Sequence, residues 1–84
     1  MKNDEADWLP RLLIQARVSG NLTQTEVANR IGKPQSFVSK YESGERRLDV
    51  LELIRICRVL GISASEIVDQ LEKCYAQKDY LRKI

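Results

Sequence analysis

Residues 24–43, Gln24-Thr25-Glu26-Val27-Ala28-Asn29-Arg30-Ile31-Gly32-Lys33-Pro34-Gln35-Ser36-Phe37-Val38-Ser39-Lys40-Tyr41-Glu42-Ser43, read as two short helices joined by a tight glycine turn. Val27, Ala28 and Ile31 recur at helical spacing on the first, and Phe37, Val38 and Tyr41 on the second. Thr23 and Glu26 have the capping-box form at the first helix start, where the hydroxyl takes an amide proton and the carboxylate reaches back. Gly32 supplies the positive φ that ends this helix. Pro34 opens the second, because its fixed φ suits a first turn, and Glu42-Ser43-Gly44 closes it. Ala28 sits where the two helices cross and a larger side chain would pry them apart. Val27, Ile31, Val38 and Tyr41 bury the concave side, which leaves Gln35, Ser36, Ser39 and Lys40 on the opposite face.

Outward from this pair, every strong pattern is helical. Trp8, Leu9, Leu12, Leu13 and Ala16 predict a first helix from Asp7 or Trp8 to Val18, with Pro10 in its first turn and Ser19-Gly20-Asn21 as the break. Asp49 and Glu52 form a second capping box that opens a fourth helix, with Leu53, Ile54, Cys57 and Leu60 inward and Gly61 at its end. Ser63 and Glu66 predict a third box, opening a fifth helix whose inner stripe is Ile67, Val68, Leu71 and Tyr75. The expectation is an all-α fold of five helices, compact, with the spacing of a DNA-binding helix-turn-helix at its centre. Residues 1–7 are read as an N-terminal arm, 8–71 as the helix-turn-helix domain and 72–84 as a C-terminal helical extension.

Composition narrows the function classes. Eighty-four residues make one small domain with a thin core. No run of about 18 apolar residues exists, so no membrane span is expected. The acidic N-terminus, Met1-Lys2-Asn3-Asp4-Glu5-Ala6-Asp7, lacks an apolar signal region and points to a cytoplasmic chain. Histidine is absent, which removes His-based general bases, the usual catalytic zinc sites and Ser-His triads. Cys57 and Cys74 are too few for a disulfide framework or a four-cysteine zinc site and read as buried thiols. No metal, cofactor or enzymatic activity is expected. The whole chain carries +2, but residues 30–47 alone carry +3, from Arg30, Lys33, Lys40, Arg46 and Arg47 against Glu42 and Glu45. The positive charge is concentrated on the helix pair and the loop after it.

The chain resembles the phage repressor/Cro family of helix-turn-helix regulators, also called XRE-like. The residues that carry the resemblance are Leu22 to Ala28, Ile31-Gly32 and Gln35 to Gly44, with Arg46-Arg47 and Leu60-Gly61-Ile62 downstream. It implies a repressor-like five-helix domain whose third helix lies in the major groove. Gln24 matches the family's phosphate-clamping glutamine, and Gln35 the glutamine that reads adenine, a pairing its amide chemistry suits. Ser36, Ser39 and Lys40 match positions that contact bases. Thr23, Ser43, Arg46 and Arg47 match backbone contacts, although salt bridges to Glu45 or Asp49 compete for the two arginines. Arg17 and Glu42 match a structural pair beneath the third helix, and Ala28 and Gly32 match the structural positions of the turn. Pro34 departs from the family's usual Ser or Thr cap.

These readings converge on a sequence-specific double-stranded DNA-binding transcriptional regulator, a repressor acting as a homodimer on an inverted repeat. One recognition helix contacts too few base pairs to select a site in a genome, so two must act together. Ile67, Leu71, Cys74, Tyr75 and Leu81 are the expected dimer contacts, because their stripe runs past the length needed to close the core. The alternative is an antitoxin or adaptor module, with a toxin or a restriction-modification component as its protein partner.

Overall fold

In the computed structural model, the backbone is described over residues 5–83 and the side chains over 5–78. Five helices follow in order: α1 Glu5–Ser19, α2 Gln24–Ile31, α3 Gln35–Ser43, α4 Val50–Leu60 and α5 Ala64–Lys83. Among the described residues there is no strand. The fold is all-α, as the periodicity predicts. α2 packs on α3 and α4, α1 on α3 and α5, and α4 on α5, so the helix-turn-helix pair rests on α1 and α4, which α5 backs. Leu13, Val27, Ala28, Val38, Tyr41, Ile56 and Cys57 form the centre of the core, each at most 2% exposed. Burial in this apolar setting pushes the Cys57 thiol pKa up.

Local chemistry explains most boundaries. Thr23 Oγ1 accepts from the Glu26 N–H at 3.1 Å, and Glu26 Oε1 accepts from the Thr23 N–H at 2.9 Å. Asp49 and Glu52 repeat this reciprocal bond at 2.7 and 2.9 Å at the start of α4. Gly32 ends α2 at φ 71°, where its N–H donates to carbonyls of the last turn. A Cβ there would meet nothing within 4 Å, so backbone conformation alone requires the glycine.

Four details differ from the sequence reading. α1 begins at Glu5, before the expected start at Asp7 or Trp8, so Pro10 lies inside the helix and not in its first turn. The Tyr75 hydroxyl donates to Glu5 Oε2, and Lys78 Nζ to Glu5 Oε1, both at 2.6 Å, which fastens that earlier start to α5. Residues 5–7 of the expected arm are therefore helical, while 1–4 lie outside the described residues. On α4, Ile56 is 1% exposed and Ile54 40%, so the inward stripe is Leu53, Ile56, Cys57 and Leu60. On α5, Val68 is 45% exposed and faces outward. The third capping box is replaced by a simpler cap. Ser63 Oγ accepts from the Ser65 N–H at 3.2 Å, while the Glu66 N–H goes to the Ser63 carbonyl.

Of the expected pairing residues, Ile67 is 3% exposed, because the first turns of α5 close the core of its own chain. Leu71 packs half-buried against the same core, and Cys74 is half-buried. The Tyr75 ring stands edge-on to Trp8 of α1, centroids 4.8 Å apart. The Leu81 side chain lies outside the described residues.

Candidate nucleic-acid interface

The exposed side of α3 follows from its buried side. Val38 and Tyr41 face the core, so Gln35, Ser36 and Lys40 emerge into solvent with Ser39 half-buried beside them. Pro34 precedes the helix at φ −64° with no side-chain cap bond, and its carbonyl accepts from the Phe37 N–H at 3.0 Å, which leaves the Gln35 and Ser36 amides uncapped. Gly44 ends the helix at φ 84°.

A chain of hydrogen bonds runs from α1 to the first residue of α3. Arg17 Nε donates to Glu42 Oε2 at 2.7 Å, and Arg17 Nη2 to Glu42 Oε1 at 3.1 Å. Arg17 Nη1 donates to the Leu22 carbonyl at 2.9 Å. Glu42, 8% exposed, also accepts from Gln24 Nε2 at 2.9 Å. Gln24 Oε1 in turn accepts from Gln35 Nε2 at 2.6 Å. The Glu42 hydrogen bond holds the Arg17 guanidinium pKa above its ordinary value, and burial pushes the neighbouring Tyr41 hydroxyl well up. Every buried polar side-chain atom described has a partner. Gln35 is thus fixed from behind while it spends only one of its two amide hydrogens.

The remaining predicted residues divide into free and engaged. Arg47, Lys40 and Arg30 are exposed, and so is Lys33, whose Nζ lies 5.6 Å from the centroid of the Phe37 ring. Thr23 is exposed, but its hydroxyl serves the α2 cap. The Ser43 hydroxyl donates to the Lys40 carbonyl at 3.0 Å. Arg46 forms a salt bridge, and its partner is Glu52, not Glu45 or Asp49, at 2.8 Å. That partner escapes a sequence reading because the two residues flank an irregular loop. The signal was present, since Glu52 is the third residue of a capping box and its carboxylate must point back over the loop. Ala28 lies in the core at 1% exposure and Gly32 in the turn, between the two helices they join.

The Arg46 hydrogen bond, joined by the Asp49 N–H, lowers the Glu52 carboxyl pKa to about 2. A depressed acid stabilises the fold through its ionised form, fully above the ordinary carboxyl value of 4.5. That contribution disappears as pH falls through about 2. Carbon-13 NMR of the Glu52 carboxyl is expected to show a midpoint near 2. A midpoint at 4.5 would mean that the Arg46 contact does not persist in solution.

Comparison with known proteins places this geometry. A helix-turn-helix family model matches residues 13–67, well over half of the chain. An XRE-family like protein from Pseudomonas syringae pv. tomato str. DC3000 is 45% identical, covering 82% of this chain and 84% of that one, with TM-score 0.78. The chain belongs to the XRE family of helix-turn-helix proteins. It is a DNA-binding transcriptional regulator. The restriction-modification controller protein C.AhdI from Aeromonas hydrophila shares the fold of this XRE-family chain at TM-score 0.69 and 22% identity, covering 74% of this chain and 94% of that one. A 59-residue stretch, 70% of this chain, is 39% identical to the cyanate hydratase of Laccaria bicolor but spans only 36% of that enzyme. Among the described residues of this XRE-family protein, no helix is long and apolar enough to cross a membrane, and no group of three metal-ligating side chains gathers.

Proposed function

We propose that the chain is a transcriptional repressor that binds an inverted-repeat operator as a homodimer, with α3 of each copy in the major groove. The observation that carries this reading is Gln35. Its bond to Gln24 uses one amide hydrogen and leaves one N–H and one carbonyl oxygen facing out. That donor–acceptor pair is what adenine N6 and N7 require. Ser36 and Ser39 offer hydroxyls on the same face, and Lys40 can donate to guanine O6 or N7. Gln24 and Arg47, with the exposed amides at the start of α3, meet the phosphates on either side.

The role is binding, not catalysis. The chain holds no histidine, and the outward groups of α3 are amides, hydroxyls and a cation that recognise rather than transform. For the second copy, Leu71, Cys74 and Tyr75 remain at the surface of α5. Val50 and Leu51, 70% and 77% exposed, add apolar surface on α4. A two-fold pair sets the recognition helices about 34 Å apart on one DNA face.

Selection of bound duplexes from a random pool is expected to return two inverted half-sites at that spacing. On the selected operator, Gln35→Ala is expected to cost about 1–3 kcal/mol at one base pair and to relax preference there. Equal weakening on operator and random DNA would remove Gln35 as a base reader.

A further inference from the structure

Arg46 ties together three parts of the fold. Its backbone N–H donates to the Lys40 carbonyl near the end of α3, at 3.2 Å. Its guanidinium lies over the Phe37 ring, 4.6 Å from the centroid, and Phe37 itself stands edge-on to the buried Tyr41. The same guanidinium makes two parallel bonds to Glu52 of α4, Nη1 to Oε1 at 3.1 Å and Nη2 to Oε2 at 2.8 Å. Glu52 is held in turn by the Asp49 N–H, and Arg46 Nη1 also donates to the Arg47 carbonyl at 3.0 Å. Recognition helix, loop and α4 therefore meet at one side chain.

We propose that Arg46 is a positioning residue that locks the 44–49 loop against the recognition helix, and that Arg47 is the loop's phosphate-binding guanidinium. This rests on the DNA-binding reading above. A phosphate engages arginine best through the planar fork, and here Glu52 already fills it. To take that fork, a phosphate would have to displace a carboxylate that stays beside it as a like charge. Arg47 sits one residue on, exposed, with no ion pair among the described residues. Recognition geometry tolerates errors of only about 0.5 Å, so a residue that fixes the loop to α3 governs affinity without touching DNA.

The two roles separate in a salt titration of operator binding, because each phosphate contact contributes about 0.9 to the log–log slope. Arg46→Met, Arg46→Lys and Glu52→Gln are each expected to weaken operator binding about tenfold with the wild-type slope retained. Arg47→Met is expected to lower the slope by about 0.9 per subunit. Thermal melts followed by circular dichroism show which variants fold, and Arg46→Lys and Glu52→Gln keep the test open if Arg46→Met does not. A reduced slope in Arg46→Met, with Arg46→Lys near wild type, would overturn the proposal. So would tighter binding and a steeper slope in Glu52→Gln, or unchanged affinity in all three variants. Wild-type protein that ignores DNA altogether would instead sink the reading on which the proposal rests.

Discussion

Arg17→Ala is expected to unfold the protein at a much lower temperature without removing any group that faces DNA. The substitution leaves the Glu42 carboxylate, 8% exposed, with only the Gln24 amide as a partner. Removing one member of a buried pair costs about 3–5 kcal/mol, because the other charge stays in the interior without compensation. A domain of this size holds a net stability toward the low end of the usual range, about 5 kcal/mol, so most of it would be lost. At roughly 4–8 °C per kcal/mol, the melting temperature is expected to fall by at least about 12 °C. Glu42→Leu combined with Arg17→Met removes both charges and should be far milder, since no ion is stranded. The Arg17 side chain is 16% exposed, which places the pair at the buried end of the scale rather than among surface bridges of little value. An unchanged melting temperature in Arg17→Ala would show that the pair opens to water in solution.

The same pair marks where the sequence is informative and where it falls silent. Helix boundaries obey local rules: a capping box at Thr23 and Glu26, another at Asp49 and Glu52, and left-handed glycines at 32, 44 and 61. Such signals lie within a few residues of each other, so they are readable without the fold. The exposed face of α3 is readable too, as the complement of Val38 and Tyr41. The inward stripe of α4 is readable at Leu53, Cys57 and Leu60 but not at its fourth member. Ile54 and Ile56 both lie beside that stripe. Only the packing against α2 and α5 selects Ile56. Ile67 is ambiguous for the same reason, since a stripe that closes its own core looks the same as one that meets a partner. The bond between Gln24 and Gln35 depends on how α2 and α3 cross, and the Arg46–Glu52 pair on the path of a loop. Neither has a period. Local chemistry therefore fixes which side chains can act, and tertiary contacts decide which are already engaged.

That division leads to the second large effect, the response of operator binding to salt. Arg46 is held by Glu52, whereas Arg30, Lys33, Lys40 and Arg47 have no ion pair among the described residues. Two copies thus present enough unpaired cations for about six to eight phosphate contacts, which predicts a log–log slope of about −5 to −7. Affinity is then expected to fall about 10³- to 10⁴-fold between roughly 50 and 200 mM salt. Net charge alone would not suggest so steep a response, since the chain carries only +2. The slope counts cations at the contact rather than charge on the molecule. It also counts copies, because a single subunit on a single half-site would show about half the value. A slope near −7 on the full inverted repeat, halving when one half-site is scrambled, would mark two subunits acting together. A flat response, or no preferred sequence at low salt, would rule out DNA recognition through this face and return α3 to the status of an ordinary polar helix.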